Sequence, residues 1–178
     1  MDNSYKTIDE KTIFEGIVVD ISLDTIVLPN GKTAKREVVE HDGGAAILPI
    51  DDEGNVILIR QYRHPLKKKL LEIPAGMVEP HEDHKACATR ELEEEVGVVA
   101  KNVEYLCHIA PSVGYCSEII HIYLGRGLEK GKQNLDPEEF IEIEKYPFED
   151  ALKMCLSGEI VDAKTIVSIL AYNNLYKK

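Results

Sequence analysis

Apolar positions along this chain change their spacing several times, and each change predicts an element. Between residues 12 and 28, Ile17, Val18, Val19, Ile21, Ile26 and Val27 form a β-branched run that reads as extended chain. Asn30-Gly31 is a hairpin signal leading into a second strand near 32–40. Ala45–Ile50 and Val56–Tyr62 are short apolar runs on either side of the turn Asp52-Glu53-Gly54-Asn55, and Leu70–Ile73 is a further strand after a basic loop. The period then lengthens to that of a helix near 82–96. Val103–Ile109 and Glu118–Leu124 read as strands around a loop containing Pro and Gly, residues 126–138 as a polar loop, and Phe140–Glu144 as an alternating strand. Phe148–Leu156 reads as a helix stopped at Ser157-Gly158, and Asp162 caps a last helix reaching about Tyr172. Strands dominate and helices punctuate them, so the expected class is α/β (α+β), a layered sandwich.

The helix near 82–96 carries the chemistry. Ala88, Leu92 and Val96 recur every four residues and predict its buried stripe. At about 100° per residue Glu95 lies close to that stripe, Glu91 at its edge and Glu94 further round, while Glu93 points to solvent. Burying the edge of two carboxylates is costly unless cations offset it. Converging carboxylates make a hard-oxygen set suited to Mg²⁺ or Mn²⁺. An acidic run taken alone is as readily a solvated helix face. His81, His84 and Cys87 stand three apart and imitate a zinc site, but the spacing is poor for one metal and structural zinc wants four ligands.

Composition narrows the setting. The 178 residues suffice for one domain with a substantial core, and the net charge of −11 disfavours nucleic acid and anionic membranes as partners. No run is long and apolar enough to span a bilayer, and the first residues lack a signal-peptide pattern. Cys87, Cys107, Cys116 and Cys155 form no Cys-x-x-Cys pair, so reduced thiols and a cytoplasmic setting are expected.

The order Gly76, Glu82, Arg90-Glu91-Leu92, Glu94-Glu95, Gly97-Val98 resembles the Nudix box, a loop–helix–loop signature, with every required position filled. Arg60-Gln61-Tyr62-Arg63-His64-Pro65, Leu71-Glu72-Ile73-Pro74-Ala75-Gly76, Glu139-Phe140-Ile141-Glu142-Ile143 and Asp162-Ala163-Lys164-Thr165 extend the similarity to the ADP-ribose pyrophosphatase subgroup, over about residues 36–172. That resemblance implies an α/β/α sandwich with mixed sheets over 41–178 (box 76–98), and an N-terminal β-rich segment, 1–40, that forms a homodimer with a second copy or packs on its own domain. It implies metal-dependent cleavage of a nucleoside diphosphate linked to another moiety, here ADP-ribose to AMP and ribose 5-phosphate. Another nucleoside diphosphate sugar, an oxidised nucleotide, or binding without cleavage are the alternatives.

Residue by residue, the resemblance makes Glu91 and Glu95 metal ligands, with Glu94, the Ala75 carbonyl and Glu82 completing the set. Arg90 orients those carboxylates. The general base comes from a late loop and falls on Glu139, with Glu138 in reserve and Glu118 a further candidate. Arg63, then Arg60, are the phosphate contacts, and Glu40 and Glu118 are further substrate-side residues. Pro111 sits where the subgroup carries a distinguishing proline, although the usual Ser-Pro-Gly is here Ala110-Pro111-Ser112. Lys67, Lys68 and Lys69 read as a solvated turn. With no tryptophan, adenine stacking falls to Tyr5, Phe14, Tyr62 or Tyr115.

Overall fold

The computed structural model describes residues 5–177. The first four residues, on which part of the leader reading falls, lie outside that range. Within it the chain divides into two compact units, one running through Gly43 and including Ala110–Ile119, the other comprising Gly44–Ile109 and the chain from Ile120 onward.

The first unit is a three-stranded antiparallel sheet in the order β1-β2-β3, with β1 Lys6–Glu15, β2 Asp20–Val27 and β3 Thr33–Glu40. The extended run expected over 12–28 is therefore two strands. The break falls at Gly16, where a Cβ would meet the Val19 carbonyl oxygen at 2.5 Å, so only glycine fits the turn. Asn30-Gly31 does make the second turn, with Gly31 at φ 79°. The 110–119 segment joins this unit by pairing with β3: Val39 N–H donates to the Tyr115 carbonyl (2.7 Å) and Ser117 N–H to the Val39 carbonyl (3.0 Å). The unit thus extends beyond the expected boundary at residue 40, because a distant loop adds to its edge.

The second unit holds two sheets. One is antiparallel, ordered β10-β5-β6, from β5 Asn55–Arg63, β6 Lys68–Glu72 and β10 Glu142–Pro147. The other is mixed, ordered β7-β4-β9-β8, from β4 Gly44–Pro49, β7 Ala75–Met77, β8 Val98–Ile109 and β9 Ile120–Lys130. β4 runs parallel to β9 and antiparallel to β7. Helix α1, His84–Val96, covers one face; α2, Phe148–Ser157, and α3, Ala163–Tyr176, cover the other.

β4 shows why these layers form. Its six residues are all buried, Ala45 and Ile47 facing Ala88, Leu92 and Val96 of α1, and Ala46 and Leu48 facing Phe148, Ile160 and Ile169. A strand apolar on both faces needs a helix layer on each side. This is an α/β/α sandwich with mixed β-sheet.

Several boundaries moved. β9 runs through Lys130, inside the stretch expected to be a polar loop, because Val98–Ala100 pair with Leu128–Lys130 and Gly125 and Gly127 interrupt its apolar alternation. It begins at Ile120, so Glu118 precedes it rather than starting it. Lys68 and Lys69 belong to β6 and only Lys67, at φ 54°, is a turn residue. β10 lies two to three residues later than expected, and α3 extends to Tyr176.

Candidate active site

α1 starts where Asp83 caps it, the Asp83 carboxylate accepting from Lys85 N–H (2.9 Å) and Ala86 N–H (3.1 Å). Glu82 consequently stands before the first turn, with His81 at φ 71° turning the chain into it. The helix ends at Gly97, in the left-handed region, and the loop after β9 satisfies carbonyls that a helix terminus leaves without partners. Asn134 N–H donates to Glu94 O (2.9 Å), Gln133 Nε2 to Glu95 O (2.9 Å) and Gly131 N–H to Gly97 O (2.9 Å). The loop leading to Glu139 is in this way tied to the C-terminal end of the acidic helix.

Ala88, Leu92 and Val96 form the buried stripe, and Glu95 (2% exposed), Glu91 (8%) and Glu94 (half-buried) follow the wheel, whereas Glu93, expected to face solvent, is half-buried because Gly131 and Lys132 pack over it. Arg90 draws three acids together from within the same helix. Its Nε and one terminal nitrogen grip Glu82 at 2.9 and 3.0 Å, and the other terminal nitrogen donates to Glu91 (2.6 Å) and Glu94 (2.9 Å). The forked guanidinium suits this shared role, which a point-like ammonium would not fill. The Arg90 pairing pulls the Glu82 carboxyl down to about 2.

Glu95 takes a different partner. Its Oε2 accepts from Ala75 N–H at 2.9 Å, linking the helix to β7. Burial pushes the Glu95 carboxyl up to about 8, and the Glu91 and Glu139 charges reinforce that against the Ala75 amide and Lys164. Glu91 is also raised, chiefly by burial, with Arg90 opposing. Gly76 is what lets Glu91 approach: a Cβ there would sit 2.0 Å from Glu91 Oε1.

Among the described residues no donor reaches Glu91 Oε2 or Glu95 Oε1, yet no fully enclosed side-chain oxygen lacks a partner, so both oxygens retain an open side. Two buried carboxylates with raised affinity for protons and oxygens free to bind are a hard donor set, and the residues fit a divalent cation such as Mg²⁺ or Mn²⁺. With Arg90 seated among them, no three acidic, His or Cys side chains of the described residues converge in ligand geometry. The zinc imitation dissolves: the His84 ring lies on His121 with centroids 3.8 Å apart, while Cys87 is buried with Sγ 3.3 Å from the Met77 carbonyl and its thiol pushed up to about 12 by burial.

Other expected residues are distributed as follows. Glu139 is half-buried in a turn where its N–H donates to Asp136 O (2.9 Å) and its carboxylate accepts from Asp136 N–H (3.0 Å); Glu138 is exposed beside it. Arg63 donates from Nε and one terminal nitrogen to the two Glu72 carboxylate oxygens, each at 2.7 Å, and Arg60 pairs with Glu144. Glu40, exposed at the end of β3, and Pro111 and Glu118 belong to the first unit. Tyr5, Phe14, Tyr62 and Tyr115 are all exposed.

Sequence reading missed the buried charges behind this site. Glu72 is 1% exposed and shared between Arg63 and Lys164, and Lys164 also contacts Asp162 at 3.0 Å. The usable signal was a lone acid in the apolar run Leu70-Leu71-Glu72-Ile73, which demands a buried cation.

An acidic helix laced by its own arginine lies against a glycine-containing strand in an α/β/α sandwich. The NUDIX domain family matches residues 40–166, and the chain belongs to it. Proteins of this family in general use divalent metals. The chain is 43% identical to a protein named ADP-ribose pyrophosphatase from Bacillus subtilis (strain 168), over 92% of this chain and 90% of that one. It is 42% identical, over the same shares, to one named methanol dehydrogenase activator from Bacillus methanolicus. A solved structure titled ADP compounds hydrolase superposes with a TM-score of 0.87 at 21% identity, over 98% of this chain and 95% of that one, a likeness of fold.

Proposed function

We propose that this chain hydrolyses the pyrophosphate bond of a nucleoside diphosphate joined to a second moiety, with ADP-ribose as substrate and AMP and ribose 5-phosphate as products. The observation that carries the reading is the Glu91–Glu95 pair, buried and open-sided against Gly76 and Ala75. The ADP-ribose pyrophosphatase relative supports the substrate.

Glu91 and Glu95 hold the cation, Glu94 and the Ala75 carbonyl complete its protein ligands, and Glu82 acts through Arg90. Mg²⁺ or Mn²⁺, when bound, neutralises diphosphate charge that otherwise repels an incoming nucleophile. Arg90 keeps the carboxylates in one arrangement. Glu139 is assigned as the base that takes the water proton, because its charge acts on both Glu91 and Glu95 and its loop is tied to the end of α1. Glu138 is its reserve. Arg63, half exposed with a planar fork, is the assigned phosphate contact ahead of Arg60.

β1 supports a homodimer: it is an edge strand exposed along its whole length, with Ile8, Ile13 and Phe14 uncovered. The protein is assigned to the cytoplasm, with no nucleic-acid or membrane partner. No helix of the described residues is long and apolar enough to cross a membrane.

A hydrolysis screen with Mg²⁺ over ADP-ribose, GDP-mannose, NADH and dinucleoside polyphosphates tests the substrate. ADP-ribose is expected to turn over fastest, with AMP released; turnover no faster than the rest defeats the assignment.

A further inference from the structure

Four consecutive residues, Glu72 to Ala75, are each held by another element of the second unit, the first two by α3, the third by β4 and the last by α1. The Glu72 carboxylate, buried, receives Lys164 Nζ from α3 as well as the Arg63 fork. Ile73 N–H donates to Thr165 Oγ1 at 2.8 Å. The Pro74 carbonyl accepts from Ile47 N–H of β4 at 3.0 Å. Ala75 N–H donates to the Glu95 carboxylate at 2.9 Å.

Two of these four grips come from the first turn of α3, and that turn is itself braced. Asp162 caps α3 by accepting from Thr165 N–H (3.0 Å), and its Oδ2 also accepts from Thr165 Oγ1–H (2.6 Å) while its Oδ1 accepts from Lys164 (3.0 Å). Thr165 is wholly buried and Lys164 nearly so, so neither side chain has a rotamer to spare. A buried lysine that makes two ion pairs in a protein interior is costly to keep for stability alone, since an apolar replacement of the pair is often neutral or better. Its place, one strand-end away from the Glu95 amide donor, gives a reason for it.

We propose that Lys164 and Thr165 are positioning residues: by fixing Glu72 and the Ile73 amide they set the Ala75 amide that orients Glu95. The inference rests on the reading of Glu95 as a cation ligand. Neither residue touches the acidic cluster by hydrogen bond, and their effect travels through four residues of backbone.

The test uses Thr165→Val, which keeps every charge and leaves Arg63 paired, and Glu72→Gln combined with Lys164→Met, which removes both members of the buried pair while leaving a side-chain amide for the Arg63 fork. Each is compared with the wild-type chain for Mn²⁺ affinity by electron paramagnetic resonance titration, for ADP-ribose turnover at saturating Mg²⁺, and for Tm. Removing groups that orient metal ligands should weaken Mn²⁺ binding by about tenfold or more in both variants. Turnover should fall with it, even where the double variant melts at the wild-type temperature. Wild-type Mn²⁺ affinity in both variants, or affinity and turnover that return with Tm in the double variant, overturns the proposal. A wild-type chain that binds Mn²⁺ but releases no AMP defeats the ADP-ribose assignment alone, and the Mn²⁺ comparison still decides the positioning role. A wild-type chain that takes up no Mn²⁺ overturns both.

Discussion

At Gly76 a single methyl group separates an open site from a blocked one. Its Cβ would stand 2.0 Å from Glu91 Oε1 and 2.2 Å from Cδ, so Gly76→Ala must push the carboxylate out of place. Overpacking of that kind costs about 1–3 kcal/mol. Differential scanning calorimetry should show a lower Tm, and turnover should fall further than the stability loss explains. Glu95→Gln keeps the shape and removes the charge, so kcat should drop at least about a hundredfold, near 2.7 kcal/mol of barrier, with a much smaller change in KM. Glu139→Gln should slow turnover comparably while leaving Mn²⁺ affinity close to wild type; an unaltered rate passes the base role to Glu138.

α1 is the element on which the acids depend, and its two ends are secured differently. Its N-terminus relies on one side chain, so Asp83→Ala should cost about 1 kcal/mol, read as a lower urea midpoint at unchanged m. Its C-terminus relies on the 131–134 backbone and Gln133. The difference between those ends explains what could be read from the chain beforehand. Asp83 and Gly97 are local signals, and the four-residue recurrence of Ala88, Leu92 and Val96 placed Glu95 next to the core correctly. Partners brought by tertiary packing leave no such trace. Nothing around Gln133 announces that it caps Glu95, and nothing around Arg63 announces that Glu72 holds its fork. β9 was cut short for a related reason: Gly125 is buried against Ile47 and Ala100, a packing need that looks like a loop signal in one dimension.

For the molecule as a whole, the shifted carboxylates set opposing pH dependences. Glu95, raised to about 8, favours the fold while protonated; that contribution is complete below the ordinary carboxylate range and is lost as pH rises through 8. Glu82, lowered to about 2 by Arg90, contributes above the ordinary range and is lost as pH falls toward 2. Asp51, also at about 2, behaves likewise, because Lys145 and Asn55 outweigh its burial. Metal-free protein should therefore be most stable at roughly pH 5–6. A divalent cation replaces the proton on Glu95, so the Tm gained on adding Mg²⁺ should be larger at pH 8.5 than at pH 6; an equal gain at both would contradict the burial of that carboxylate. On the same scale, the exposed apolar positions of β1 predict a dimer by light scattering, and Ile8→Lys with Phe14→Lys should give a monomer.

Arg90 stands among Glu82, Glu91 and Glu94 and donates to all three. One guanidinium thus offsets like charges that would otherwise push apart. An uncharged side chain in its place would loosen that whole face of the helix at once, so a change at one position is felt by three.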